Sequence, residues 1–217
     1  MKKEISVQEA VSIMKDGQIL MVGGFMGTGS PHTIIQEMVN QNLKDLTIIC
    51  NDTSWPGFGI GKIIENKMAS KVISSHIGLN PETGRQMNEG ETEVILTPQG
   101  TLAEQIRCAG SGQGGFLTPT GVGTIVEEGK RKIVVNGEEY LLELPLKAHV
   151  ALIKGAIVDT KGNVYYDKAA RNFNPLMAMA ADTVIVEADE IVEVGQIDPN
   201  DVMTPGIFVD YIVKGEE

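Results

Sequence analysis

The chain has 217 residues and 23.3 kDa, 42% hydrophobic and 22% charged, an ordinary globular composition with length enough to bury a core. A net charge of −11 without a basic stripe argues against nucleic acid and anionic membranes as partners. No apolar run approaches membrane-spanning length, and MKKEISVQEAVSIM has no signal-type apolar core, so a cytoplasmic location is expected. Cys50 and Cys108 sit in no CxxC or Cys/His cluster and read as reduced core thiols. His32, His76 and His149 are scattered, and no metal site is expected from them. Asn51-Asp52-Thr53 fits a glycosylation sequon, which the missing secretion signal discounts.

Taken in order, Val7, Ala10, Val11 and Met14 have helical spacing and predict a first helix. Ile19 to Val22 is a short apolar run after the Asp16-Gly17 turn, which suits a strand buried on both faces. Gly23, Gly24, Phe25, Met26, Gly27, Thr28, Gly29, Ser30 and Pro31 follow, a loop whose glycines point to backbone shapes or close approaches that a Cβ forbids. Ser30 is read as the cap of the next helix, with Pro31 in its first turn. Strand, glycine loop and capped helix then leave unpaired N–H groups at a positive helix end, suited to a phosphate, a carboxylate or an oxyanion.

Ile34, Ile35, Met38 and Val39 place that helix, which is expected to end near Asn42. Leu46–Cys50 is a second strand, opening into the turn-rich NDTSWPGFG. Ile60, Ile63 and Ile64 suggest a short helix before a strand at Val72–Ser74. His76 to Asn88 reads as polar and irregular, with at most one helical turn. Val94–Thr97 is a fourth strand, and Leu102, Ile106 and Ala109 share one face of the next helix. Beyond residue 110 comes a long glycine- and threonine-rich segment, then a β-hairpin turning at Asn136-Gly137. A strand at Val150–Val158, a Lys161-Gly162 turn and a helix over Pro175–Ala181 follow, then strands at Thr183–Glu187, Ile191–Val194 and Ile207–Val213.

Strands alternating with helices predict an α/β fold: an open, mostly parallel sheet flanked by helices, with a β-hairpin insertion, and residues 1–217 forming one domain. In such a sheet the loops after the strands share one edge, where ligands bind. The glycine loop, the Asn51 loop, the Ser75 loop and the Pro98-Gln99-Gly100 turn should therefore converge. Gln99, at a strand end and a helix start, either caps backbone or touches ligand. Asn51 and Asp52 are read as organisers of their loop rather than reactants.

Other candidates carry less. Gly110, Gly112 and Gly115 spell GxGxxG but follow a helix, and GFGIGK at Gly57–Lys62 lacks the Walker spacing. Glu187, Asp189, Glu190 and Glu193 are read as a solvated acidic face, Trp55 as a packing or interface anchor, and Lys168 and Arg171 as anion ligands or helix-start decoration. No Ser/His/Asp triad or local Cys/His pair stands out.

DGQILMV followed by GGFMGTGSP, together with TPQGTLAEQIR, TPTGVGT, NGEEYLLELPL and KAARNFNPLM, resembles the α subunits of family I CoA-transferases along essentially the whole chain. That family includes the acetate, butyrate–acetoacetate and 3-oxoacid CoA-transferases. The resemblance implies a ping-pong transfer of CoA between carboxylates through a glutamyl-CoA thioester. It implies that Gly24, Phe25, Met26, Gly27, Thr28, Gly29 and Ser30 form a CoA-binding loop, and that Gln99 supports the oxyanion or the nucleophile. Coenzyme A is then a substrate, with no permanently bound cofactor and no metal. The family's nucleophilic glutamate lies in a Ser-Glu-Asn-Gly motif of the β half. This chain has no such motif, and Glu89 in Asn88-Glu89-Gly90 is in the wrong order and region. The resemblance therefore implies a β-subunit partner, in an α2β2 assembly, and acyl-CoA with short-chain carboxylates as substrates. A sugar-phosphate isomerase of similar architecture and a ligand-sensing module are the alternatives.

Overall fold

The structure is a computed structural model and describes residues 3–216. The first half contains β1 (Lys3–Glu4), α1 (Val7–Ser12), β2 (Ile19–Val22), α2 (His32–Asn40), β3 (Leu46–Ile49) and α3 (Gly61–Glu65). It continues with β4 (Ala69–Ser74), α4 (Pro81–Glu89), β5 (Glu93–Leu96) and α5 (Gln99–Gly110). The second half contributes β6 (Phe116–Thr118), β7 (Lys132–Val135), β8 (Glu138–Glu143), β9 (Ala148–Asp159) and β10 (Val164–Tyr165). It closes with α6 (Asn174–Met179), β11 (Ala181–Val192) and β12 (Tyr211–Lys214).

The main sheet runs β1-β12-β11-β9-β2-β3-β4-β5, parallel throughout, and β10 adds to β9 antiparallel. The apolar alternation explains why both faces are covered. Leu20 and Val22 of β2 join α1, α2 and α3 in one core, with Val11, Ile34, Met38 and Ile63. Met21, between them, points to the other face, where Leu102 and Ile106 of α5 and Met177 of α6 pack. Strand order steps from β2 out to β5 on one side and from β9 out to β12 on the other. The order therefore reverses between β2 and β9, and the loop leaving β2 sits at the switch point, the crevice where open α/β sheets bind ligands.

Four sequence expectations need correction. His76 to Asn88 is not irregular: it contains the two-and-a-half-turn helix α4, with Asn80 as N-cap, Pro81 at its start and Gly90 left-handed at its end (φ 71°). Its buried residues, Thr83 and Gln86, are polar, so apolar periodicity gave no sign of it. Thr183–Glu187 and Ile191–Val192 are parts of one strand, because the equally long β9 pairs with β11 from Ala181 through Val192, and Val194 lies in the turn beyond it. The Ile207 end of the last expected strand is a 3-10 turn at Gly206–Phe208, and pairing begins only at Tyr211. The insertion is three-stranded, since β6 pairs with β8 beside the expected hairpin; Asn136 and Gly137 at its tip have φ 53° and 84°.

Candidate active site

The glycine loop is shaped by its own turn. Met26 (φ 51°) and Gly27 (φ 83°) occupy the centre of a left-handed turn. Phe25 and Thr28 exchange backbone bonds across it at 3.0 and 2.9 Å. Behind the turn the loop lies flat against the segment after β10. Asn172 Oδ1 accepts from the Gly24 N–H at 3.2 Å, its Nδ2 donates to the Thr28 carbonyl at 3.0 Å, and Asn174 Nδ2 donates to the Gly29 carbonyl at 3.0 Å. A Cβ on Gly29 would lie 2.5 Å from the Ala170 carbonyl oxygen, at a φ of +75°. Gly29→Ala therefore meets backbone rather than a movable side chain. It is expected to destabilise the fold by about 3 kcal/mol, read as a lowered midpoint in urea.

The loop is less open than the sequence suggests. Ser30 does not cap α2: its hydroxyl donates to the Gly23 carbonyl at 3.0 Å, and Pro31 stands at the cap position without a side-chain bond. The helix end is filled instead by Glu187 of β11, whose Oε2 accepts from the Ile34 N–H at 3.0 Å. Glu187 is fully buried, contrary to its reading as part of a solvated face, whereas Asp189, Glu190 and Glu193 are exposed. Lys154 Nζ lies 3.4 Å from Glu187 and 2.8 Å from Asp189. Burial pushes the Glu187 carboxyl above its usual range, against the helix N–H groups and Lys154, which favour its charged form. The positive end of α2 is thus occupied by the protein's own carboxylate. Among the described residues, the loop N–H groups without a protein acceptor are those of Gly27 and Gly29.

The four loops do converge. Gln99, exposed at the start of α5, donates from Nε2 to Asn51 Oδ1 at 2.6 Å, and its Oε1 faces the Ser75 hydroxyl. That hydroxyl also lies 2.8 Å from the Asn51 carbonyl. Asn51 Nδ2 donates to Asp52 Oδ2 at 2.7 Å, and the same oxygen accepts the Met26 N–H of the glycine loop at 2.9 Å. Asp52 Oδ1 accepts from the Ser54 N–H at 2.7 Å. One polar chain thus runs across the carboxyl ends of β2, β3, β4 and β5, from the glycine loop to Gln99. Asn51 and Asp52 are 1% and 3% exposed, so the sequon asparagine is closed to a glycan.

Around this chain stand Phe25, Met26, Trp55 and Phe58, each about half exposed. His32 stacks on Phe58 with ring centroids 4.4 Å apart, and its Nε2 bonds the Gly27 carbonyl at 3.1 Å. Burial, with Lys154 and Lys62 nearby, holds the His32 pKa below its usual value. The site is therefore an exposed amide on a buried polar relay, flanked by an apolar rim. Lys168 pairs with Asp167 on the surface, and Cys50 and Cys108 are buried free thiols. Sequence reasoning missed Asn172 and Asn174 as loop clamps and Glu187 as helix cap.

A family model described as Coenzyme A transferase matches residues 4–215. The chain belongs to the coenzyme A transferase family. It is 52% identical over 215 residues to the acetate CoA-transferase subunit alpha of Escherichia coli strain K12, covering 99% of this chain and 98% of that one. It is 54% identical over 212 residues to the acetoacetyl-CoA:acetate/butyrate CoA transferase alpha subunit of Clostridium acetobutylicum, covering 98% and 97%. The structure of an acyl-CoA transferase from E. coli O157:H7, solved as a thioester complex with CoA, superposes with a TM-score of 0.88 at 21% identity. That match covers 98% of this chain and 47% of the solved one, so this chain has the fold of about half of it. No helix among the described residues is long and apolar enough to cross a membrane.

Proposed function

We propose that this chain, acting as one domain over residues 1–217, is the α subunit of a short-chain acyl-CoA:carboxylate CoA-transferase. It works in the cytoplasm with a β subunit in an α2β2 assembly, on acetate, butyrate and acetoacetate. The observation that carries the reading is the relay from the glycine loop through Asp52 and Asn51 to the exposed Gln99 amide. Full-length similarity to two alpha subunits of such enzymes supports it.

In this reading the partner supplies the glutamate. Its carboxylate oxygen attacks the thioester carbonyl carbon, the C–S bond breaks, and an acyl-glutamyl anhydride and CoA thiolate form. The thiolate then attacks the glutamyl carbonyl, the first carboxylate departs, and a glutamyl-CoA thioester remains. A second carboxylate reverses the sequence. Each addition puts negative charge on an oxygen, and a pre-positioned amide donor stabilises it. Gln99 has a second Nε2–H beyond the one given to Asn51, and that proton is assigned to the oxyanion. Coenzyme A enters as substrate, with residues Gly24 to Ser30 against it. Lys154 is already held by Glu187 and Asp189, and the loop N–H groups without a protein acceptor, those of Gly27 and Gly29, belong to buried residues.

Mass spectrometry of the two subunits after incubation with acetoacetyl-CoA, without acceptor acid, tests the reading. The mass of the CoA adduct is expected on a glutamate of the partner. An adduct on this chain would overturn the division of labour.

A further inference from the structure

We infer that Asp52 is a positioning residue that sets which way the Gln99 side-chain amide faces. The inference rests on the transferase reading for its kinetic consequence, but not for its geometry. An amide side chain can present its oxygen or its NH2 at either of two sites, and only its neighbours decide which. The Gln99 amide is exposed and has no covalent reason to choose.

The decision is made two residues away from it. The oxygens of Asp52 accept from two backbone N–H groups, Met26 at 2.9 Å and Ser54 at 2.7 Å, and backbone donors cannot turn round. A carboxylate offers acceptors only, so Asn51 must turn its Nδ2 to it, at 2.7 Å. Asn51 Oδ1 then faces Gln99, which must answer with Nε2, at 2.6 Å. That leaves Gln99 Oε1 to the Ser75 hydroxyl and the second Nε2–H to whatever enters the site. Asn51 and Asp52 are shut off from water, so no solvent molecule can substitute for a mis-turned member. The same carboxylate also accepts from Met26 in its left-handed turn. The Phe25–Thr28 backbone pair closes that turn independently, so the loop keeps its shape when the carboxylate is replaced.

Asp52→Asn keeps the size and removes the rule. The Ser54 N–H, at 2.7 Å the shorter of the two backbone contacts, keeps the amide oxygen, so the NH2 takes the Oδ2 position, gives up the Met26 N–H and donates to Asn51, which turns over. Gln99 then turns as well, and its Nε2 goes to Ser75 instead of the substrate.

The test is a double-mutant cycle on the assembled subunits, with Asp52→Asn and Gln99→Ala singly and together. Asp52→Asn is expected to lower kcat by about tenfold or more, with KM for acyl-CoA within about threefold, and to add less than about twofold in the Gln99→Ala background. Losses that multiply, or a change confined to KM, would overturn the inference. A second measurement does not depend on turnover: the isotope-labelled side-chain amide resonance of Gln99, identified by its loss in Gln99→Ala. Asp52→Asn should shift or split it. An unmoved resonance overturns the inference, and a moved one supports it even if the assembly transfers no CoA, a result that would defeat the transferase reading alone.

Discussion

Gln99→Ala, assembled with the partner subunit, is expected to lose about a hundredfold in kcat, with little change in KM for acyl-CoA. Removing one pre-organised donor from a developing oxyanion costs about 3 kcal/mol of barrier, and the ground-state thioester feels little of it. The effect should be this large because the amide is held by Asn51 at 2.6 Å and by Ser75, so the donor is in place before the charge forms. Steady-state rates at saturating acetoacetyl-CoA and acetate check it. Stability should fall by only about 1 kcal/mol, the cost of taking the donor from Asn51 Oδ1, since the Gln99 side chain itself is exposed. Gln99→Glu is a sharper version. It puts a carboxylate where the account places a donor, and Asn51 Oδ1 would then face an acceptor.

The largest effect on stability is expected at Glu187. Glu187→Ala leaves the Ile34 N–H at the start of α2 without its acceptor, opens a cavity in a fully buried position, and leaves Lys154 with Asp189 alone. Breaking a buried, hydrogen-bonded ion pair by deleting one member costs about 3 kcal/mol or more. Thermal or urea denaturation of the variant reads it directly. Because α2 begins where the glycine loop ends, the loop should loosen with it.

The pH dependence has a definite sign. Burial raises the Glu187 pKa in the folded chain, so its ionisation contribution to stability is full below the unfolded carboxyl pKa, about 4.3. It is lost as pH rises through the folded value. In Glu187→Gln that decline should be missing, so the difference curve, wild type minus variant, is expected to fall as pH rises. A difference curve that falls with decreasing pH instead would mean that the carboxyl is held below its usual range.

Much of this was readable in the residues. Ile19–Val22 and Leu46–Ile49 are short apolar runs bounded by turns, which suits buried parallel strands, and Asn136-Gly137 is a strong signal of a tight hairpin turn. The alternation of such strands with helices is enough to bring four loops to one edge. What was not readable depended on partners distant in the chain. Glu187 looks like the start of an acidic surface run, and only Ile34 and Lys154, 153 and 33 residues away, make it a buried cap. Asn172 and Asn174 look like turn formers until Thr28 and Gly29, 144 and 145 residues earlier, supply the carbonyls they hold. Helix α4 was a different failure. Asn80, Pro81 and Gly90 were local signals of its two ends, but the absence of an apolar stripe concealed them.

The central claim is that this chain holds the donor side of a transfer site whose nucleophile lies on another subunit. CoA transfer from acetoacetyl-CoA to acetate or butyrate, assayed with this chain alone and with its co-expressed partner, tests it most directly. The account predicts turnover in the pair and none from the chain alone. Turnover by the isolated chain would place a nucleophile within these residues and contradict it.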